Sequence, residues 1–330
     1  MTVQITILGL GQVGSSIGLA LASQKNIKRV GHDKDYEVAR LSQKAGAVDE
    51  IKINLPSSVS NANIVILSMP LHEIYDTLGY IAQDLQEGTV ILDTAPAKGE
   101  VASGVGRLIP QERYYVGLSP AAGANYLHGN DLGVASARAD LFKDGLFLVN
   151  APAGTPSEAL DLASNLINLM GAQVMFTDSV EADGLLAATH VLPQLAAAAL
   201  LNATVSQPGW TEARKVAARP YASVTSGIAY HDEAKSLRDA ALANRENTVR
   251  MLDAYMASLQ KLRDQIGDGN EAALSSYLED AVKARNRWID ERARADWQGA
   301  QPSDMDSVTL GARMNQLLLG NLFGRNKKKK

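Results

Sequence analysis

Three glycines and one carboxylate carry the most specific chemistry in the chain. Gly9-Leu10-Gly11-Gln12-Val13-Gly14 is a full G-x-G-x-x-G, and Asp33 follows about twenty residues later. Gly9 permits a tight turn out of a preceding strand. Gly11, without a Cβ, lets a pyrophosphate approach the backbone, and Gly14 lets the next helix pack closely on the sheet. A helix starting at Val13, with Gln12 just ahead of it, aims its free N–H groups and the positive end of its dipole at the phosphates. Asp33 is placed to accept hydrogen bonds from the ribose 2′-OH and 3′-OH. Its charge opposes a 2′-phosphate and favours NAD, while Lys34 and Arg40 nearby soften that repulsion and leave NADP open. A glycine-rich turn of this kind also occurs without a ligand. Here the strand, the helix and the acid stand in the order that a dinucleotide site needs.

Further residues with chemical potential gather at the ends of apolar runs. Pro70 closes the strand Asn63–Ser68 and fixes an extended turn at its carboxyl edge, where cofactors lie in such folds. Asp93 to Lys98 follows the next strand, and Ser119 to Gly123 the one after. Lys98 can orient a carboxylate or protonate an oxygen, although an exposed lysine opening a helix is the plainer reading. Ser119 can donate or accept a hydrogen bond, but a serine hydroxyl without a partner is a poor base. His190 lies far along the chain, as a substrate contact or stand-in base, or as a histidine of the core. His32, His72, His128 and His231 show no metal-ligand spacing with acids and read as surface or packing residues, with His72 nearest the expected cofactor.

These residues need a scaffold of alternating strands and helices. Apolar runs at Val3–Leu8, Asn63–Ser68, Thr89–Asp93, Tyr114–Gly117, Leu146–Asn150 and Gln173–Thr177 alternate with helical patterns at Tyr36–Ala45, His72–Leu85, Ala97–Leu108 and Ser157–Met170. That alternation specifies an α/β fold with a doubly wound parallel sheet. From Ser179 strand signals stop. Glu181–Val205 is the most apolar helical stretch, Asp232–Ile266 reads as one long amphipathic helix broken by Gly267 to Gly269, and Glu271–Ala295 as a charged helix. Trp297–Asp306 reads as a linker, Val308–Phe323 as a short helix and Lys327–Lys330 as a solvated basic end. The expected organisation is a Rossmann domain over 1–177, a helical substrate and dimerisation domain over 178–300, and a terminal helix with basic tail over 301–330.

Composition narrows the class. The chain has 330 residues, a net charge of −4 and no cysteine. The charge gives nucleic-acid binding no support. Without cysteine there is no disulfide, thiolate metal site or cysteine nucleophile, which agrees with a cytoplasmic protein. The first residues enter a strand directly, leaving no room for a signal peptide. No uninterrupted apolar run reaches the roughly 20 residues needed to span a bilayer, so no membrane association is expected. Val191–Val205, with Pro193 and Asn202, reads as a buried helix, and an all-helical second domain this apolar is expected to pair with a second copy.

Taken in order, the motifs resemble the prephenate/arogenate dehydrogenase family, the TyrA-type enzymes, over roughly residues 3 to 265. The turn Gly9-Gly11-Gly14 with Asp33, the strand Val65–Pro70, Asp93–Lys98 (the family's D-x-x-S-x-K), Gly117–Gly123 (G-x-H-P-x-A-G), Ala139–Phe142 (A-x-LF) and Thr189–Pro193 (S-H-L-P-H) carry the likeness. The resemblance implies a Rossmann domain followed by a dimerising helical domain with 6-phosphogluconate-dehydrogenase-like helices. It implies oxidation of the ring alcohol of prephenate or arogenate, with hydride passing to NAD(P)⁺ and loss of CO₂. It also implies functional positions, and four of them differ. The catalytic histidine falls on Ser119, the D-x-x-S-x-K serine on Pro96, the second histidine of S-H-L-P-H on Gln194, and the substrate-binding arginine on Ser226, with Arg219 a turn or two away. His190, Lys98 and Ser119 are left as the candidates for catalysis. Three readings follow: a dehydrogenase of the prephenate/arogenate type, a dehydrogenase acting on a smaller or less charged hydroxy acid, or a non-catalytic dinucleotide-binding dimer.

Overall fold

The computed structural model describes residues 2–129, 132–230, 234–295 and 297. His231, the terminal helix Val308–Phe323 and the Lys327–Lys330 end lie outside them, as does the linker beyond Trp297. The chain divides into two compact units, one built on Met1–Ala182 and the other on Asp183–Trp297.

The first unit is organised by one eight-stranded sheet. Its strands are β1 (Val3–Leu8), β2 (Ile27–His32), β3 (Glu50–Ile51), β4 (Ile64–Leu67), β5 (Val90–Asp93), β6 (Tyr114–Ala121), β7 (Leu146–Asn150) and β8 (Gln173–Phe176). They lie in the order β3-β2-β1-β4-β5-β6-β7-β8. β4 and β5 are buried along their whole length, as strands covered on both faces must be. The direction of winding reverses between β1 and β4, and the crevice outside the carboxyl ends of these two strands is where such sheets bind ligands.

The sheet is parallel only through β6. β7 pairs antiparallel with β6, and β8 runs parallel to β7. The cause is the connection. Among its described residues the segment from Ala122 to Gly145 forms 3₁₀ turns at Ala124–Tyr126 and Val134–Ser136 and no α-helix. A parallel return needs a crossover long enough to cross the sheet face, usually a helix. The helix Ser157–Leu169 supplies one between β7 and β8. β6 is also longer than the expected Tyr114–Gly117. β5 ends level with Gly117, but β7 continues the pairing out to Ala121. Pro120 is tolerated there because β6 has a neighbour on one side only beyond that level.

Arg29 ties several elements of this unit together. Its guanidinium donates to the carbonyls of Gly18, Gly46 and Ala47 and to Asp49. Gly18 lies in the last turn of the helix Gln12–Ala20, while Gly46 and Ala47 lie in the turn that follows the helix Tyr36–Lys44, so one buried cation satisfies a leftover helix carbonyl and two turn carbonyls.

The second unit is helical. Ser179–Val205 is a continuous helical stretch in which Ala187–Val191 forms a π turn, with the Leu192 N–H donating to Ala187 O. By length and composition this stretch could cross a membrane, and only 22 % of its apolar window is buried within the chain. Among the described residues Val191–Val205 is not the buried helix that its sequence suggests: apart from Val191, Gln194 and Ala197 its side chains are partly or fully exposed within the single chain. The unit's own core is small: Val191, Leu237 and Ala240, with Leu195, Ile228 and Ala241 against them. The expected single helix Asp232–Ile266 is two helices, Ala234–Ala243 and Arg245–Gly267. Asn244 interrupts them, its Nδ2 donating to Asp183 O at 2.6 Å. A final helix, Glu271–Arg294, follows the Gly267–Gly269 break.

Candidate functional site

The glycine turn joins β1 to the helix Gln12–Ala20, and each glycine meets a different constraint. Gly9 has φ +89°, and a Cβ there would lie 2.1 Å from Ser68 O, so the turn is pressed against the end of β4. A Cβ on Gly14 would lie 2.0 Å from Gly9 O, which closes the helix onto the turn. A Cβ on Gly11 would meet nothing within 4 Å. The space above Gly11 is what a pyrophosphate needs, and the residues present fit a dinucleotide. Val13 packs partly against the sheet core, while Gln12 Nε2 donates to Ser136 O at 3.4 Å. The Arg138 N–H donates to buried Ser16 Oγ at 3.0 Å. The loop before Leu141 thus covers this helix, a contact that sequence spacing does not reveal.

Asp33 lies just past the end of β2. Its Oδ2 accepts from Leu10 N at 2.7 Å and its Oδ1 from Asp35 N at 2.9 Å. The carboxylate is thereby fixed against the turn and keeps lone pairs for further donors. The two cations near it are engaged. Lys34 Nζ contacts Glu73 Oε1 at 2.6 Å, and Arg40 contacts Glu37 Oε2 at 2.7 Å. The Glu37 hydrogen bond and charge raise the Arg40 pKa. Pro70 caps the helix Leu71–Ile81 on the far side of the crevice between β1 and β4.

At the end of β5 the structure corrects the plainer reading of Lys98. It opens the helix Lys98–Leu108 but is wholly buried, and Asp93 is buried with it. Lys98 Nζ donates to Asp93 O at 2.9 Å and to Asp93 Oδ2 at 3.0 Å, and the Tyr115 hydroxyl donates to the same Oδ2 at 3.1 Å. Asp93 Oδ1 accepts from Ala95 N. Gly117 makes room for this cluster, since a Cβ there would lie 2.3 Å from Asn150 Oδ1 and 3.0 Å from Lys98 Cδ. Ser119 lies within β6, opposite Leu148, and not in a loop beyond the strand. It is buried, and its Oγ has no hydrogen-bond partner. Tyr115 and Asn150 escaped the sequence reading. A polar residue ending the apolar run Leu146–Val149 was the only mark that Asn150 carried.

His190 belongs to the other unit. It is exposed on the π turn, and its carbonyl accepts from Gln194 Nε2 at 2.8 Å. Pro193 has no N–H to donate to the turn before it, which favours the widened geometry. Gln194 is buried with Oε1 unpartnered. Ser226 begins a 3₁₀ turn, Ser226–Tyr230, and its hydroxyl donates to Ser223 O. His32 Nδ1 is held against Lys52 O. Among the described residues no group of three or more His, Asp and Glu side chains is arranged to hold a metal ion.

Residues 17–176 match the prephenate dehydrogenase nucleotide-binding domain, and residues 178–280 match the prephenate dehydrogenase dimerization domain. The chain belongs to the prephenate dehydrogenase family. The first match begins past the glycine turn, so the reading of Gly9 to Gly14 rests on the geometry above. Prephenate dehydrogenase of Bacillus subtilis is 26 % identical over 285 residues, covering 86 % of this chain and 75 % of that protein. Cyclohexadienyl dehydrogenase of Zymomonas mobilis is 26 % identical over 284 residues, covering 85 % of this chain and 94 % of that protein. The fold is shared with prephenate dehydrogenase from A. aeolicus, solved in complex with hydroxyphenyl propionate and NAD⁺. The TM-score is 0.77 at 20 % identity, over 87 % of this chain and 98 % of the other. The nucleotide-binding match falls on the first unit, and the dimerization-domain match begins at residue 178 and runs over the helices of the second.

Proposed function

We propose that the chain is a cytoplasmic, homodimeric, NAD⁺-dependent dehydrogenase that oxidises the ring alcohol of a prephenate- or arogenate-type small molecule with loss of CO₂. The observation that carries this reading is the glycine turn, open above Gly11 and braced by Asp33, in a chain of the prephenate dehydrogenase family. Gly9, Gly11, Gln12, Val13, Gly14, Asp33 and Pro70 are the residues assigned to the dinucleotide. NAD⁺ is preferred to NADP⁺ because the Lys34 and Arg40 charges are paired with Glu73 and Glu37, leaving Asp33 to oppose a 2′-phosphate. The bound nicotinamide supplies the hydride acceptor. Ser119, Lys98 and His190 are assigned to the substrate. Ser119 would hydrogen-bond the reacting hydroxyl, the buried Lys98–Asp93 pair braces the end of β5 next to it, and His190, on the second unit, is the one histidine kept at a position the family resemblance marks.

Two measurements test this. Calorimetric titration with NAD⁺ and NADP⁺ is expected to show tighter binding of NAD⁺. Absorbance at the reduced-nicotinamide band is expected to rise with prephenate or arogenate. Binding without turnover of either removes the substrate assignment, and no binding of either cofactor removes the whole reading. A second reading keeps the reaction and changes the substrate. It is favoured by the neutral residues Ser119, Pro96 and Ser226 at positions where the family resemblance places a histidine, a serine and an arginine. A screen of 2- and 3-hydroxy acids, negative throughout, would exclude it. Dimerisation is checked by sizing with light scattering, which should return twice the 35.2 kDa chain mass.

A further inference from the structure

Among the described residues of the first unit two oxygen atoms are buried without a hydrogen-bond partner, and they belong to adjacent strands of the sheet. Ser119 Oγ and Asn150 Oδ1 belong to residues only 7 % and 3 % exposed. β6 and β7 pair antiparallel with Gly117 opposite Asn150 and Ser119 opposite Leu148. Residues 117 and 119 face the same side of the sheet, and directly paired residues share a face. Ser119 and Asn150 are therefore diagonal neighbours on one face, with Cβ atoms about 7–8 Å apart. That is the face over which the Lys98 stem crosses Gly117.

The level of this pair in the sheet matters. β5 ends at Asp93, which pairs with Gly117. Ser119 stands two residues beyond that edge, about 6.6 Å further along β6, on the side of the sheet where cofactor and substrate lie in such folds. A buried acceptor left unmade is destabilising, and a native chain with two of them in one place calls for a partner from outside. The partner's chemistry follows from the two oxygens. Asn150 Oδ1 only accepts, whereas a serine hydroxyl both accepts and donates. A carboxylate or phosphate, with no proton to give, could accept from Ser119 but would leave Asn150 Oδ1 without a donor. One O–H group can donate to Asn150 Oδ1 and accept from the Ser119 hydroxyl.

We propose that Asn150 and Ser119 form a seat for a single O–H group, the alcohol hydroxyl of the substrate in the complex and a water molecule in its absence. Asn150 is thereby a specificity-determining residue supplied by β7. The identity of the ligand hydroxyl rests on the dehydrogenase reading above; the seat itself rests on the two buried oxygens.

The test separates these two layers. In a crystal structure of the ligand-free protein a water should lie within about 3.2 Å of both oxygens, and an empty or dry position overturns the seat. Asn150→Leu, close in volume but without an acceptor, should leave the ligand-free Tm unchanged or higher and NAD⁺ affinity within about twofold. It should raise KM for the alcohol substrate about tenfold, the order expected for one lost hydrogen bond. Ser119→Ala should raise the same KM. A Tm lowered by several degrees with KM unchanged makes Asn150 structural and overturns the proposal. Should Asn150→Leu not fold, Asn150→Asp keeps an oxygen in place, and loss of the bound water in that variant's structure counts equally against the seat. If the wild-type protein oxidises no alcohol, the dehydrogenase reading fails by itself, and the presence or absence of the bridging water still decides the seat.

Discussion

Lys98 Nζ lies 3.0 Å from Asp93 Oδ2, and neither side chain reaches solvent. The same ammonium donates to the Asp93 carbonyl, so one cation joins the end of β5 to the start of the next helix by two bonds to one residue. Tyr115 completes the carboxylate from β6. A charge pair this deep is held by its hydrogen bonds as much as by its Coulomb attraction, because both ions gave up hydration to enter.

Breaking that pair from one side should be severe. Lys98→Met leaves Asp93 buried without its cation and is expected to cost about 3–5 kcal/mol. The double variant Lys98→Met/Asp93→Asn removes the stranded charge and should recover a large part of the loss. Urea unfolding of the wild type, both single variants and the double variant gives the coupling directly. Strict additivity would show that the two residues do not act together.

Gly11 and Gly14 should separate binding from folding. Gly14→Ala places a Cβ 2.0 Å from the Gly9 carbonyl oxygen, a backbone atom that cannot move aside cheaply. The expected loss of stability is about 2–3 kcal/mol. Gly11→Ala meets nothing in the folded chain and should change stability by less than about 0.5 kcal/mol. Its Cβ fills the space assigned to the pyrophosphate, so NAD⁺ affinity should fall about tenfold or more. Thermal melts beside calorimetric titrations distinguish the two, and equal effects on folding would count against an open anion seat above Gly11.

Asp33 should set the cofactor preference. Asp33→Asn keeps an acceptor for one backbone amide but removes the charge. A hydrogen bond to a charged group is worth about 1.5–3 kcal/mol, so NAD⁺ affinity should fall about tenfold to a hundredfold. NADP⁺ should lose less, or gain, because the charge opposing its phosphate is gone. Parallel titration with both cofactors measures the switch, and an unchanged ratio would place the ribose elsewhere.

Arg29 should govern stability on the acid side. Burial pushes the Asp49 carboxyl up, but the hydrogen bonds and charge of Arg29, with a smaller push from Lys28, outweigh it and hold the group below its ordinary value. A carboxyl lowered in the folded state gives stability that is complete above the ordinary carboxylate range and is lost as pH falls through the folded value. Asp49 is 43 % exposed, so this share is about 1 kcal/mol at most. Arg29→Ala also strands the carbonyls of Gly18, Gly46 and Ala47 and should cost about 3 kcal/mol at neutral pH. Chemical unfolding between pH 7 and pH 3 should show a shallower fall for Asp49→Asn than for the wild type.

The sequence alone decided everything that local pattern can decide. Continuous apolar runs fixed β4 and β5, glycine spacing fixed the turn after β1, and Asp33 stood at the distance a ribose carboxylate requires. Each of these is a property of neighbours along the chain. The direction of β7 was beyond that pattern, because it depends on whether the Ala122–Gly145 connection contains a crossover helix. So was the place of Ser119, which joined β6 only because β7 pairs beyond the end of β5. The burial of Lys98 was hidden for the same reason. A lysine opening a helix is locally a solvent residue, and it goes inside only where Asp93, Tyr115 and the bare Gly117 come together from separate strands to desolvate and satisfy it. Likewise, Asn150 and Ser119 are thirty-one positions apart in the sequence, and only the antiparallel register of β6 and β7 makes them diagonal neighbours on one face of the sheet. Periodicity and spacing act through the chain, whereas burial and hydrogen-bond satisfaction act through space. The elements were therefore legible in the sequence, and their polar contacts came only with the tertiary structure.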